Sequence, residues 1–88
     1  MANDNVFSAL SDATRRKILV LLKEGKMTAG DIAKHFSETQ ATVSYHLNKL
    51  KSANLIRENK YKNFIYYQLD MTVFDEILLW ISNLKGGK

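Results

Sequence analysis

Between Met27 and Ser52 the chain carries two short apolar runs of helical spacing joined by a brief polar turn, and this pair constrains most of what can be built around it. In "MTAGDIAKHF" Ile32, Ala33 and Phe36 share one side of a helix. Thr28 caps it, and Asp31 three residues later sets an acid in its first turn. Ser37 and Glu38 make the turn. In "TQATVSYHLNKLKS" Thr39 is the cap, and Val43, Leu47 and Leu50 recur at i, i+4, i+7 toward a core. At about 100° per residue, Ala41, Tyr45, Asn48, Lys49 and Ser52 fall opposite that line, with Thr42 and Ser44 at its borders. The result is a turn-helix core over residues 28–52 whose second helix presents a polar face with few charges.

The flanking segments follow two periods. Upstream, Val6, Phe7 and Leu10 predict a short helix over 3–10. A second helix, capped by Ser11, carries Ile18, Leu19, Leu21 and Leu22 and ends at Gly25. After Asn54 the spacing becomes alternating: Leu55 to Glu58 and Phe64 to Leu69 read as two strands around the polar tip "NKYKN", a hairpin over 55–69. Helical spacing returns over 71–84, where Val73, Phe74, Ile77, Leu78, Leu79, Trp80, Ile81 and Leu84 cover nearly the whole circumference. A helix apolar all round buries two sides, and in 88 residues the second side meets another copy of itself. Residues 1–88 therefore read as one domain, too small for a large core and, without cysteine, without disulfides to supplement it. The expected fold is mainly α with a two-stranded β-hairpin, in the order α-α-α-α-β-β-α, and homodimeric. Its interface is expected on Val6, Phe7, Phe74, Ile77, Trp80 and Ile81 of helices 3–10 and 71–84.

Charge gives the class of partner. The chain has net charge +4 and a pI near 9.4. Lys49, Lys51, Arg57, Lys60 and Lys62 crowd between Ser44 and Asn63 against the single acid Glu58. Helix, turn, helix and basic-tipped hairpin make a winged helix-turn-helix, in which the second helix enters the major groove of double-stranded DNA and the hairpin touches the backbone or minor groove beside it. Thr39, Gln40, Ala41, Thr42, Ser44, Tyr45, Asn48 and Lys49 are the expected readers, since such side chains donate to and accept from base edges. Arg57, Lys60, Tyr61, Lys62 and Asn63 are the expected clamp.

Catalysis is not expected: Ser44 and His46 stand at i, i+2 on different helix faces, with no paired acids or glycine-rich loop. His35 and His46 read as structural. No metal ligand set, cofactor or integral membrane association is expected. "MANDNVFSALSD" resembles no secretory signal, and a cytoplasmic protein is the expectation. The rival reading is a protein-interaction module that uses the apolar C-terminal helix, with DNA binding secondary. A weaker rival is single-strand or RNA binding through Tyr61, Phe64, Tyr66 and Tyr67.

The stretches "FSALSDATRRKILVLL", "MTAGDIAKHF", "TQATVSYHLNKLKSANLI" and "FIYYQL" together resemble the ArsR/SmtB family of small dimeric repressors over nearly the whole chain. The resemblance implies a recognition helix over 39–52, a wing over 57–66 and dimerisation through the first and last helices. Many members sense metals, but "KMTAGD" lacks the thiolates of one metal box and "DMTVFDEILLWISNLKGGK" the histidine of the other. The chain looks most like the SdpR-type subgroup of autorepressors without metal boxes. That implies repression of its own transcription unit from an inverted-repeat operator, relieved by a protein partner rather than by an ion. It departs from the family at Ala13, where proline is common, at Tyr45, where histidine is common, and at a wing tip without glycine. Asn59 or Asn63 is expected to supply the tip's left-handed residue, and Asn54 the one after the recognition helix.

Overall fold

The computed structural model describes residues 5–86. Its elements are α1 (Asn5–Leu10), α2 (Ala13–Leu22), β1 (Met27–Thr28), α3 (Ala29–Ala33), α4 (Gln40–Ser52), β2 (Ile56–Tyr61), β3 (Phe64–Leu69) and α5 (Met71–Gly86). Positions 3 and 4 of the expected first helix lie outside the described residues. The wing is the predicted hairpin with one strand added. Met27 and Thr28 pair antiparallel with Tyr67 and Tyr66, giving a three-stranded sheet in the order β1-β3-β2. Two residues are too few for alternation to reveal, so the predicted element order lacked this strand.

Caps set the helix ends. Thr28 and Thr39 accept from the backbone N–H of Asp31 and Thr42, each at 3.1 Å, as the sequence predicts. The cap of α2 is Asp12 rather than Ser11: Asp12 is extended and its carboxylate accepts from Arg15 N–H at 3.0 Å. The Ser11 hydroxyl instead donates back to Ser8 O at 2.7 Å, closing the end of α1. At the end of α4, Asn54 takes φ 62 while its N–H donates to Lys51 O and the N–H of Leu55 to Leu50 O. This paired motif satisfies two terminal carbonyls and stacks the fully buried Leu50 and Leu55. Asn54 thus does what its position predicts.

The core is built from one face of each helix and the root of the wing: Val6, Ile18, Leu22, Ile32, Val43, Leu47, Leu50, Leu55 and Ile56 are all buried. Val6 corrects the predicted interface, because it is fully buried in its own domain and presents nothing to a partner. Helical spacing could not separate it from its neighbour Phe7, which is exposed. On α5 only Val73 is buried; Phe74 and Ile77 are half-buried against the core, and Leu78, Leu79, Trp80, Ile81 and Leu84 are exposed.

One buried cation crosses this core. Arg15, 7% exposed, donates from Nε to Ala9 O at 2.8 Å and from Nη2 to Ser8 O at 3.1 Å, the carbonyls at the end of α1. Its Nη1 lies 3.2 Å from His46 Nδ1 on α4. A guanidinium only donates, so this bond makes Nδ1 the acceptor and leaves the imidazole proton on Nε2.

Replacing Arg15 by Met strands two buried acceptors, Ala9 O and His46 Nδ1, while Ser8 O keeps its bonds from Ser11, and should cost at least about 2 kcal/mol in urea unfolding, at about 1–3 kcal/mol for each group left unpaired. Asp12→Ala should cost about 1 kcal/mol as a lost cap. The Arg15 N–H holds the Asp12 carboxyl below its ordinary 3.8, with the Arg15 charge assisting against desolvation. A depressed carboxyl stabilises the fold above its unfolded value and loses that contribution as pH falls through the folded value. Asp12→Asn should therefore flatten the loss of stability below about pH 4, measured by thermal melts in a pH series.

Candidate nucleic-acid interface

Burial of Val43, Leu47 and Leu50 turns the opposite face of α4 to solvent. Gln40, Ala41, Tyr45, Asn48 and Lys49 are exposed, and Thr42 and Ser44 are half-buried at the borders, as the 100° rule predicts. Thr39 is exposed but already engaged: its hydroxyl caps α4 and donates to Thr42 Oγ1 at 3.0 Å, which leaves the Thr42 proton free to point outward. Tyr45 is 55% exposed at the centre of the face. Its ring meets the His46 ring edge-on at 5.6 Å, and the Lys49 ammonium lies 5.9 Å from its centroid. Lys49 and Ser52 also line a small polar cleft with Asn5 and Ser8 of α1.

The expected basic residues divide into two groups. Lys51 pairs with Glu58 at 2.7 Å, and this hydrogen bond lifts the ammonium above its ordinary 10.5. It ties α4 to the wing rather than reaching outward. Arg57 stands 3.8 Å from Asp70 Oδ2, at the root of the wing. Asp70 in turn accepts from Thr72 N–H at 3.0 Å, which holds its carboxyl low. Lys60, Tyr61, Lys62 and Asn63 are exposed toward the tip.

The tip itself is shorter than "NKYKN". Asn59 pairs with Tyr66, Lys60 with Ile65 and Tyr61 with Phe64, so only Lys62 and Asn63 form the loop. The left-handed residue is Lys62, at φ 56, not Asn59 or Asn63. A two-residue hairpin loop matches the twist of its strands through positive φ at the first loop position, so register chose the residue against its own preference. Alternation places Tyr61, Phe64 and Tyr66 on the outer face of the sheet and Tyr67 on the core face, where burial raises its phenol. Lys26 lies 5.0 Å from the Tyr66 ring and 6.0 Å from that of Tyr61. Sequence reasoning missed Lys26, because only the β1–β3 pairing brings it to the wing.

The two histidines are not together: His35 is exposed after α3 and His46 is buried. Among the described residues no three His, Cys, Asp or Glu side chains are placed to hold a metal ion. None of the described helices is long and apolar enough to cross a membrane.

Comparison with known proteins agrees with this geometry. The sequence model of the arsR family of bacterial regulatory proteins matches residues 12–58. The chain is 52% identical over 80 residues to the transcriptional repressor SdpR of Bacillus subtilis, covering 91% of this chain and 89% of that protein. The crystal structure of an ArsR family transcriptional regulator superposes with a TM-score of 0.87 at 26% identity, over 93% of this chain and 90% of its own. A homodimeric winged helix-turn-helix DNA-binding domain from Mycobacterium bovis, solved in solution, superposes at 0.73 with 25% identity, over 90% of this chain and 77% of its own.

The strained tip gives a separable test. Lys62→Gly relieves a left-handed lysine and should stabilise the fold by about 0.5–1 kcal/mol in urea unfolding, while removing one exposed cation from the wing.

Proposed function

Because the chain belongs to the arsR family of bacterial regulatory proteins, we propose that it represses its own transcription unit from the cytoplasm, as a homodimer on an inverted-repeat operator, without response to metal ions. It is a winged helix-turn-helix DNA-binding regulator. In this reading α4 enters the major groove and the wing lies on the flanking backbone. The carrying observation is the outer face of α4: Gln40, Thr42, Ser44, Tyr45 and Asn48 carry groups able to donate and accept hydrogen bonds, Lys49 carries charge, and the helix contains no carboxylate to repel phosphate.

The dimer reading rests on α5. Phe7 meets Trp80 edge-on at 5.9 Å, joining α1 and α5 into one surface that Ile81, Leu78 and Leu84 extend. Phe74 and Ile77 form its half-buried root. A soluble domain this small rarely leaves such a surface uncovered, and a second copy covers it by two-fold symmetry. The absence of cysteine from the chain and the separation of its histidines support a metal-independent repressor.

The test is anisotropy on the duplex upstream of the chain's own gene against a random duplex, across a salt series. Gln40→Ala or Ser44→Ala should cost about 1–3 kcal/mol on the true site for each base edge no longer read, and little on random DNA. Lys60→Ala or Lys62→Ala should weaken both duplexes alike and lower the salt slope by about one unit. Lys51→Ala should leave that slope nearly unchanged, because its charge already faces Glu58. Equal affinity of the wild-type protein for both duplexes would refute the reading.

In sedimentation, Trp80→Glu should convert a dimer into a folded monomer. Zinc, cadmium, arsenite and chelator should each leave operator affinity within about two-fold, well short of the roughly 5–150-fold range of allosteric effectors.

A further inference from the structure

We propose that Tyr45 reads the 5-methyl group of a thymine, so that each half-site carries one position where thymine is distinguished from cytosine and from uracil. This rests on α4 being the DNA reader and adds the chemical feature that one residue recognises. On the outward line of α4, Ala41 and Tyr45 stand one turn apart, an apolar spot on a face otherwise made of hydrogen-bonding and charged side chains. Long helical side chains lean over the turn that precedes them, which carries the Tyr45 ring toward Ala41. That is the N-terminal half of the helix, the part that reaches base edges in helix-turn-helix proteins.

The ring is held before any partner arrives. The His46 ring packs against it at an angle of 60° with the centroids 5.6 Å apart, and the Lys49 ammonium sits 5.9 Å from the Tyr45 centroid. His46 is itself fixed by Arg15 at 3.2 Å. A side chain braced in this way loses little freedom on binding. Among base-pair edges in the major groove, the thymine methyl is the apolar feature, and it suits an aromatic face beside an alanine methyl.

Operator duplexes in which single thymines are replaced by deoxyuridine test this directly, since the substitution removes the methyl and keeps every hydrogen-bonding group. For the wild-type dimer, one thymine per half-site should be sensitive, with affinity falling about four-fold for one substitution and about fifteen-fold for the symmetric pair, from the transfer free energy of one methyl-sized group. 5-Bromodeoxyuridine at that position should restore affinity, because bromine fills the space of the methyl. Tyr45→Phe should keep the discrimination, whereas Tyr45→Ala should bind thymine and uracil operators equally. Thermal melts of both variants check folding, which an exposed ring should leave unchanged. Wild-type protein indifferent to deoxyuridine at every position, or a penalty undiminished in Tyr45→Ala, would overturn the proposal. Loss of operator affinity in Gln40→Ala alongside such indifference confines the failure to Tyr45. Full affinity in both Gln40→Ala and Ser44→Ala removes α4 as reader and the proposal with it.

Discussion

The buried guanidinium of Arg15 is the contact on which the arrangement of this domain depends. A charge out of water is tolerated only where its donors are satisfied, and here three bonds reach two other helices. Two go to Ser8 O and Ala9 O in the last turn of α1 and one to His46 of α4, while Arg15 itself stands on α2. The same cluster reaches the turn before α4. Thr14 donates to Glu38 Oε2 at 3.0 Å, and Glu38 Oε1, buried and without a hydrogen bond, lies 3.4 Å from His46 Nε2, the nitrogen that carries the proton. Apolar contacts would hold these helices together without choosing one angle between them. The directional bonds of Arg15 and His46 select the pose in which Tyr45 and its neighbours face outward.

Around that anchor the cations divide by purpose. Lys51 with Glu58 and Arg57 with Asp70 hold the wing root against α4 and α5. Solvent screens exposed pairs of this kind, so their effect is orientation more than stability. Lys49, Lys60 and Lys62 lack a carboxylate partner within ion-pair distance among the described residues, and they border the face of α4 and the tip of the wing.

Much of this was legible along the chain. Thr28, Thr39 and Asn54 were readable because caps depend on one side chain and its local backbone, and the inner line of α4 because burial follows helical period. What was not legible depended on register or on distant packing. Lys62 rather than asparagine is left-handed because the ladder ends at Tyr61 and Phe64, a choice made by the pairing of the strands. Lys26 joins the wing through a strand of two residues. Val6 and Phe7 are adjacent and both apolar, and only tertiary packing decides that one is buried and the other faces out. Ser11 and Asp12 are both good caps, and Asp12 prevails as its carboxylate accepts the Arg15 N–H while Ser11 closes α1.

The central claim is that two copies of α4, held by Arg15 and paired through α5, address one face of a duplex. Hydroxyl-radical footprinting of the dimer on the region upstream of its gene measures this most directly. We expect two protected windows related by a dyad, centred about one helical turn apart on the same face of the DNA. A single window, or protection without phase along the fragment, would contradict it.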